Sequence, residues 1–289
     1  MPTPIVFSTP DEQRSWADDV RRQGSTIGFV PTMGALHRGH IALIDHAHSL
    51  ADVVVVSVFV NPRQFNQRAD FDAYPRPIDD DVQQCAAAGV AAVFAPTGAA
   101  MYPQGFETTV TAGPLASTME GAHRDGHFDG VVTVLTKLFS ILRPDLAVFG
   151  EKDFQQLAIV RRLVTDLDLD VEIVGAPTVR EPDGLALSSR NRRLDATARA
   201  AARAVPRALD AAIAAARDGS VDDALRAACD VFDAAPQVHP DYVEIFDPNT
   251  LRPVPTLEGR RVPGTTRIAT AAHVGDVRLI DNRDLFERA

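Results

Sequence analysis

Four short stretches of this chain gather side chains suited to holding anions and stabilising developing charge. The first, Pro31-Thr32-Met33-Gly34-Ala35-Leu36-His37-Arg38-Gly39-His40, ends in His-Arg-Gly-His at the start of an amphipathic segment. Histidines three apart share one helix face. Gly39 between them lets a phosphate approach the backbone, and a helix N-terminus favours a bound anion. Imidazole there can donate to a phosphate oxygen whose charge grows in a transition state. With His46 and His48 the pair also admits a metal cluster, or plain polar positions on a helix; His46 and His48 are assigned to the latter. Neither a Walker loop nor a GxGxxG fingerprint is present.

The second stretch is Val60-Asn61-Pro62-Arg63-Gln64-Phe65, where the Gln64 amide offers a donor and acceptors to a hydroxy acid. An ordinary loop glutamine is the competing reading. In the third, Phe149-Gly150-Glu151-Lys152-Asp153-Phe154-Gln155-Gln156, Lys152 can neutralise a phosphate. Asp153 can serve a ribose hydroxyl, magnesium or a helix N-cap. The fourth, Ala186-Leu187-Ser188-Ser189-Arg190-Asn191, sets two hydroxyls beside a guanidinium, a combination suited to a triphosphate.

These stretches need a scaffold. Ile27–Val30, Val53–Val60, Ala91–Ala95, Leu146–Phe149 and Val171–Val174 are continuous Val-rich runs, as parallel strands buried on both faces require. Helical periodicity fills the intervals Gly39–Leu50, Asp79–Ala88, Gly130–Leu142 and Phe154–Asp166, the third stopped by Arg143-Pro144. Alternation of this kind predicts an α/β fold, a doubly wound, Rossmann-like parallel sheet. Ligands of such sheets bind beyond the carboxyl ends of the strands, where three of the four stretches lie. After about residue 180 the texture changes to Ala-rich helices (Thr197–Arg217, Val221–Ala235) and then to strands at Tyr242–Ile245, Thr266–Ala272 and Asp276–Ile280. The prediction is a catalytic domain over 1–180 and a smaller C-terminal α+β domain over 181–289, closing over the site.

The bulk numbers narrow the partners. The chain has 289 residues, a formal net charge of −10, 45% hydrophobic and 24% charged residues. That acidity disfavours nucleic acid, whose binding draws on phosphate neutralisation. No apolar run approaches the roughly 20 residues a membrane span needs. The N-terminal stretch has no basic leader with an apolar core, so secretion is not expected. Cys85 and Cys229 have no metal-like spacing and fit a reducing cytosol.

In this order and spacing, PTMGALHRGH, FVNPRQF, FGEKDFQQ and TVREPDGLALSSRN resemble the pantothenate synthetase family, relatives of the HIGH-signature nucleotidyltransferases and class I aminoacyl-tRNA synthetases. The resemblance runs from about residue 27 to 195 and returns around the terminal strands. It implies ATP binding by Met33, Gly34, Ala35, Leu36, His37, Arg38, Gly39 and His40, by Gly150, Glu151, Lys152 and Asp153, and by Val179, Leu187, Ser188, Ser189 and Arg190. It implies pantoate contacts from Gln64 and Gln156, with Gln64 also reaching the β-alanine site, and a catalytic set of His40, His37, Lys152 and Arg190. Asp80 and Asp81, within Asp79–Asp81, fall where the family places acidic residues near Mg²⁺; a solvated helix start is the alternative. Leu187 and Arg63 stand where many members have methionine.

The implied activity is ATP-dependent condensation of pantoate with β-alanine. Pantoate carboxylate attacks the α-phosphorus, pyrophosphate leaves, and β-alanine then displaces AMP from pantoyl-adenylate. A cytoplasmic homodimer is implied as well. The rival readings are another adenylyl-transferring enzyme on the same scaffold, which needs no paired Gln64 and Gln156, and a catalytically silent nucleotide-binding regulator, which needs no complete set of phosphate cations.

Overall fold

A computed structural model describes residues 3–66 and 68–287. Strands β1 (Ile5–Phe7), β2 (Ile27–Thr32), β3 (Val53–Val58), β4 (Ala92–Phe94), β5 (Leu146–Gly150) and β6 (Glu172–Ala176) form one sheet, ordered β1-β4-β3-β2-β5-β6 and parallel throughout. Helices α1 (Pro10–Arg22), α2 (Arg38–His48), α3 (Arg68–Ala73), α4 (Ile78–Ala87), α5 (Gly98–Met101), α6 (Met119–His123), α7 (His127–Leu142) and α8 (Phe154–Asp166) occupy the connections. The five expected strands and four expected helices are all present, with ends shifted by a few residues. β1 and α1 lie outside the elements predicted from periodicity, although Thr9-Pro10-Asp11-Glu12 forms a capping box with proline at the first turn. Helix α7 stops where the sequence says it should, with Arg143 in the left-handed conformation (φ 45°) before Pro144.

The Val-rich run of β3 explains its central place. Val54, Val55 and Val56 have no exposed surface, and each such side chain contributes about 1.5–3 kcal/mol by leaving water. Gly28 is equally fitted: a Cβ there would sit 3.0 Å from Ala51 Cβ on the turn after α2.

The chain divides into two compact units. The first runs up to Ala116 and adds Gly121–Glu151 and Ile159–Pro177; the second holds Ser117–Glu120, Lys152–Ala158 and everything from Thr178 onward. The second unit contains α9 (Ala196–Ala202), α10 (Ala204–Ala216), α11 (Val221–Asp233) and an antiparallel sheet of β7 (Val238–Phe246), β8 (Arg267–Val274) and β9 (Val277–Asp284). The single helix expected over Thr197–Arg217 is two, broken at Arg203. Pro206 accounts for the break, since its missing N–H and its ring deny the Ala202 carbonyl a helical partner.

Alternation gives this sheet two unlike faces. Ile245, Ile268, Ala272, Val274, Val277 and Leu279 pack into an apolar core with Ala208, Leu209 and Ala212 of α10 and Phe232 of α11. Tyr242, Phe246, Arg267, Arg278 and Asn282 occupy the opposite face. Arg278 pairs with both oxygens of Glu120 (2.6 and 2.8 Å), Asn282 donates to the Lys152 carbonyl (2.8 Å), and Phe246 and Arg267 lie against the Phe154 ring. These bonds explain why two short segments that precede Thr178, Ser117–Glu120 and Lys152–Ala158, belong to the C-terminal unit.

Candidate active site

Strand order reverses between β2 and β5, the switch point where ligands of open α/β sheets bind. Thr32 and Gly150 end the two strands, and the first and third candidate stretches leave from there. A Cβ on Gly150 would meet only Leu43, at 3.9 Å. The protein's own packing thus does not demand glycine here, whereas close approach of a ligand would.

In the first unit, residues 33–37 form a tightly held loop. Gly34 and Ala35 take positive φ (79° and 52°). A Cβ on Gly34 would come 2.8 Å from Asp81 Oδ2 and 2.9 Å from Val58 Cγ1, so both conformation and space require glycine. Ala35 pays about 1–2 kcal/mol for its left-handed backbone. The fully buried Asp81 offsets this by accepting the amides of Ala35 (2.9 Å) and Leu36 (2.7 Å). Thr32 Oγ1 accepts the Gly34 amide and donates to the Ser57 carbonyl.

His37 closes the loop as the N-cap of α2. Its Nδ1 accepts the Gly39 amide (3.1 Å), while His40 Nδ1 accepts the amide of His37 (3.3 Å). The rings stack with centroids 4.1 Å apart. A nitrogen that accepts a hydrogen bond carries no proton, so each neutral ring keeps its proton on Nε2. The start of α2 therefore presents two Nε2–H donors beside its amide-rich end, an arrangement suited to phosphate oxygens. Arg38, between them, is exposed.

Gln64 sits in the 3₁₀ turn Pro62–Gln64 that follows β3. Its Oε1 accepts from Asn61 Nδ2 (3.0 Å), its Nε2 donates to Met33 Sδ (2.9 Å), and its carbonyl accepts from His127 Nδ1 (2.8 Å). Buried Asn61 also donates to the Gly130 carbonyl and accepts from the Tyr102 hydroxyl (2.8 Å), which burial pushes up to about 12 and so keeps protonated. Gly130 permits the turn to lie on α7, since a Cβ there would fall 2.2 Å from the Arg63 carbonyl oxygen. The guanidinium of Arg63, an additional cation by sequence, bonds Thr109 (2.7 Å) and lies over Tyr102 and Phe106.

The metal role expected of Asp80 and Asp81 finds no support in this geometry. Asp80 is exposed, and both oxygens of Asp81 are engaged by backbone amides of the loop. Among the described residues no group of three His, Cys, Asp or Glu could hold a metal ion.

In the second unit, Lys152 lies in the 3₁₀ turn Glu151–Asp153, its ammonium 3.9 Å from Asp153 Oδ1. Asp153 precedes α8 and remains half-exposed. Gln155 is buried, accepting the Glu120 amide and donating to the Thr118 carbonyl (2.9 Å each). Its neighbour Gln156 is half-buried, and its side chain has no hydrogen-bond partner among the described residues. Glu120 also accepts from Tyr242, whose hydroxyl is pushed far up by burial and by the Glu120 charge.

Residues 179–187 form a hairpin around Pro182-Asp183-Gly184, joined by Leu187 N–H to the Val179 carbonyl and by Arg180 opposite Ala186. It delivers the 3₁₀ turn Ser189–Arg193, capped by Ser188 Oγ on the Arg190 amide. Asn191 ties this turn to Glu181 (2.6 Å) and the Ala186 carbonyl. The Arg190 guanidinium is half-buried with no acid partner among the described residues. Met33, His37, His40 and Gln64 thus belong to one unit, and Lys152, Asp153, Gln156 and Ser188–Arg190 to the other.

Asn61, Asp81, Gly130 and Asn282 were not among the expected residues of this polar framework, Asp81 having been expected near a metal or at a solvated helix start. Asn61 lies within a quoted stretch, and an Asn-Pro pair at a strand end was its available signal. The other three act on partners far away in sequence.

Residues 5–284 match the family model for pantoate-beta-alanine ligase. A pantothenate synthetase of Mycobacterium avium (strain 104) is 49% identical over 281 residues, 97% of this chain and 89% of that one. Its counterpart in Cereibacter sphaeroides is 50% identical, covering 96% of this chain and 99% of its own length. The crystal structure of pantothenate synthetase from Thermus thermophilus superposes with a TM-score of 0.91 at 45% identity, over 98% and 100% of the two chains. That of pantoate-beta-alanine ligase from Francisella tularensis, complexed with beta-gamma ATP and beta-alanine, gives 0.80 at 33% identity over 99% of each chain.

Proposed function

The chain belongs to the pantoate–β-alanine ligase family, and on that premise we propose that it condenses pantoate with β-alanine through a pantoyl-adenylate, releasing AMP and pyrophosphate. The observation that carries the adenylate is the stacked His37–His40 pair, with both Nδ1 atoms engaged by backbone amides. Two preset Nε2–H donors at a helix start suit the growing charge on ATP's phosphates. Lys152 and Arg190 supply full positive charge to the same phosphates, and Ser188 and Ser189 supply hydroxyls. Met33–Leu36, Gly150, Val179 and Leu187 offer backbone and apolar surface to the nucleotide. Gln64 and Gln156 hold pantoate's hydroxyls and carboxylate by amides, without the charge a phosphate would call for.

The reaction then balances without a covalent enzyme intermediate. A pantoate carboxylate oxygen bonds to the α-phosphorus and pyrophosphate leaves; the free amine of β-alanine attacks the acyl carbon, and AMP departs with that bridging oxygen. Catalysis consists of positioning and charge stabilisation.

The residues do not fit a protein-held Mg²⁺ at Asp80 and Asp81, so no step is assigned to such an ion. Mg²⁺ is proposed as the counter-ion of ATP itself, where it needs at most one or two carboxylates. The acidic balance of the chain disfavours nucleic acid, whereas a few local cations suffice for small anionic substrates. Among the described residues no helix is long and apolar enough to cross a membrane. A cytoplasmic homodimer remains a proposal carried by the resemblance, and light scattering tests the dimer.

The deciding experiment is isotope exchange. Labelled pyrophosphate should enter ATP when pantoate and Mg²⁺ are present and β-alanine is absent, and oxygen-18 from the pantoate carboxylate should appear in AMP. Label in inorganic phosphate, with ADP as product, would replace the adenylate by an acyl phosphate.

A further inference from the structure

Two consecutive residues of β9 reach in opposite directions. Asp281, with its side chain only 1% exposed, accepts both arms of the Arg180 guanidinium, at 2.7 and 2.9 Å. Arg180 also donates to the Gly184 carbonyl, so this pair fixes both ends of the Pro182-Asp183-Gly184 turn. The hairpin so held leads directly into Ser188–Arg190, and β9 packs against the Ser189–Arg193 turn as well.

On the opposite face, buried Asn282 donates its amide to the Lys152 carbonyl (2.8 Å). Its Oδ1 accepts from Arg267 Nε (3.1 Å) and Nη2 (2.6 Å), and that guanidinium lies 4.1 Å over the ring of Phe154, two residues past Lys152. The Asn282 backbone N–H donates to Asp281 Oδ1, tying the two anchors to one another. Lys152 itself has a four-carbon stem and a loose 3.9 Å approach to Asp153. Its reach is therefore defined by where its backbone is pinned.

We infer that Asn282 is a positioning residue for adenylation, holding the Lys152 turn on the same strand whose preceding residue holds the hairpin leading to Ser188–Arg190. The inference rests on the proposed role of Lys152 at the phosphates. Charge placed by two separately anchored segments works only while their spacing is kept, and a misplacement of about 1 Å costs on the order of 10²-fold in rate.

Asn282→Asp tests this, because it keeps an acceptor for Arg267 and sets a carboxylate oxygen against the Lys152 carbonyl. The variant should unfold near the wild-type temperature. Its pantoate-dependent pyrophosphate exchange should fall about 10–100-fold, while amide formation from supplied pantoyl-adenylate stays within about threefold. In a Lys152→Ala background the same change should cause little further loss of exchange, as expected of residues acting as one unit. Exchange close to wild type in Asn282→Asp, equal losses in both half-reactions, additive losses in the double variant, or failure to fold would each overturn the inference. Lys152→Ala alone separates the two readings: if it keeps wild-type exchange, the role of Lys152 at the phosphates is wrong, whatever Asn282 does.

Discussion

His37 and His40 each receive a backbone amide at Nδ1 while their rings stack 4.1 Å apart. The same hydrogen bonds that cap α2 also set the tautomer, so structure and chemistry can be separated by choice of substituent. Asparagine is a favoured N-cap, so His37→Asn should fold within about 1 kcal/mol of wild type. It should still lose activity, because it has no donor where Nε2–H stands. His40→Ala should lose on the order of 10²–10³ in rate. Nitrogen-15 spectra at neutral pH should show both rings protonated at Nε2; a proton on Nδ1 of either would contradict the capping geometry.

Asp81 is expected to act on the loop and leave metal affinity alone. Asp81→Ala leaves the Ala35 and Leu36 amides buried without an acceptor, a loss of about 2–5 kcal/mol by the usual penalty for unsatisfied groups. Urea unfolding measures it. A variant of wild-type stability whose Mg²⁺ requirement shifts strongly would restore Asp81 as a metal ligand.

Gly130→Ala places a methyl group 2.2 Å from the Arg63 carbonyl oxygen. The turn bearing Gln64 must move, at a stability cost of about 1–3 kcal/mol. Pantoate KM should rise in the surviving folded enzyme, while calorimetric binding of an ATP analogue stays near wild type. Equal losses for both ligands would remove Gln64 from the pantoate site.

Alkaline stability should follow buried groups, first Cys85 and Tyr102, with Tyr242 acting in the same direction. Burial, aided by the Asp81 charge, pushes the Cys85 thiol up to about 12, and burial does the same for the Tyr102 hydroxyl. Both hold their protons longer folded than unfolded, so stability is intact below about pH 9 and drains between about 9 and 12. Urea midpoints across that range should fall. At mild alkaline pH a thiol reagent should modify exposed Cys229 and spare Cys85 until the chain unfolds.

The sequence reveals this protein unevenly, for physical reasons. Helix α8 was legible to the residue, because Leu157, Val160 and Leu163 recur at helical spacing after a Gly-Glu-Lys-Asp turn. Strand β3 declared itself through the unbroken run Val53–Val56, whereas the three-residue β1 was too short to show a pattern. The place of His37 and His40 at a helix start was legible because a cap is local in sequence. The part Asp81 plays in the loop was not legible because its oxygens accept amides 45 and 46 residues away, a relation no window reveals. The break at Arg203 was hidden for the opposite reason: alanine is so good a helix former that it masked the effect of Pro206.

The polar face of the C-terminal sheet bears on how the chain is made. Glu120 waits 158 residues for Arg278, and Lys152 waits 130 for Asn282. During synthesis both segments must leave the ribosome long before the strand that clasps them exists. Closing a loop of that length carries an entropy on the order of 4–5 kcal/mol by the (3/2)RT ln n scaling, and contacts so distant in sequence form late. The segments around Glu120 and Lys152 are thus completed by β9, far later in the sequence. A truncation before β9 would leave the Glu120 carboxylate and the Lys152 carbonyl without these partners.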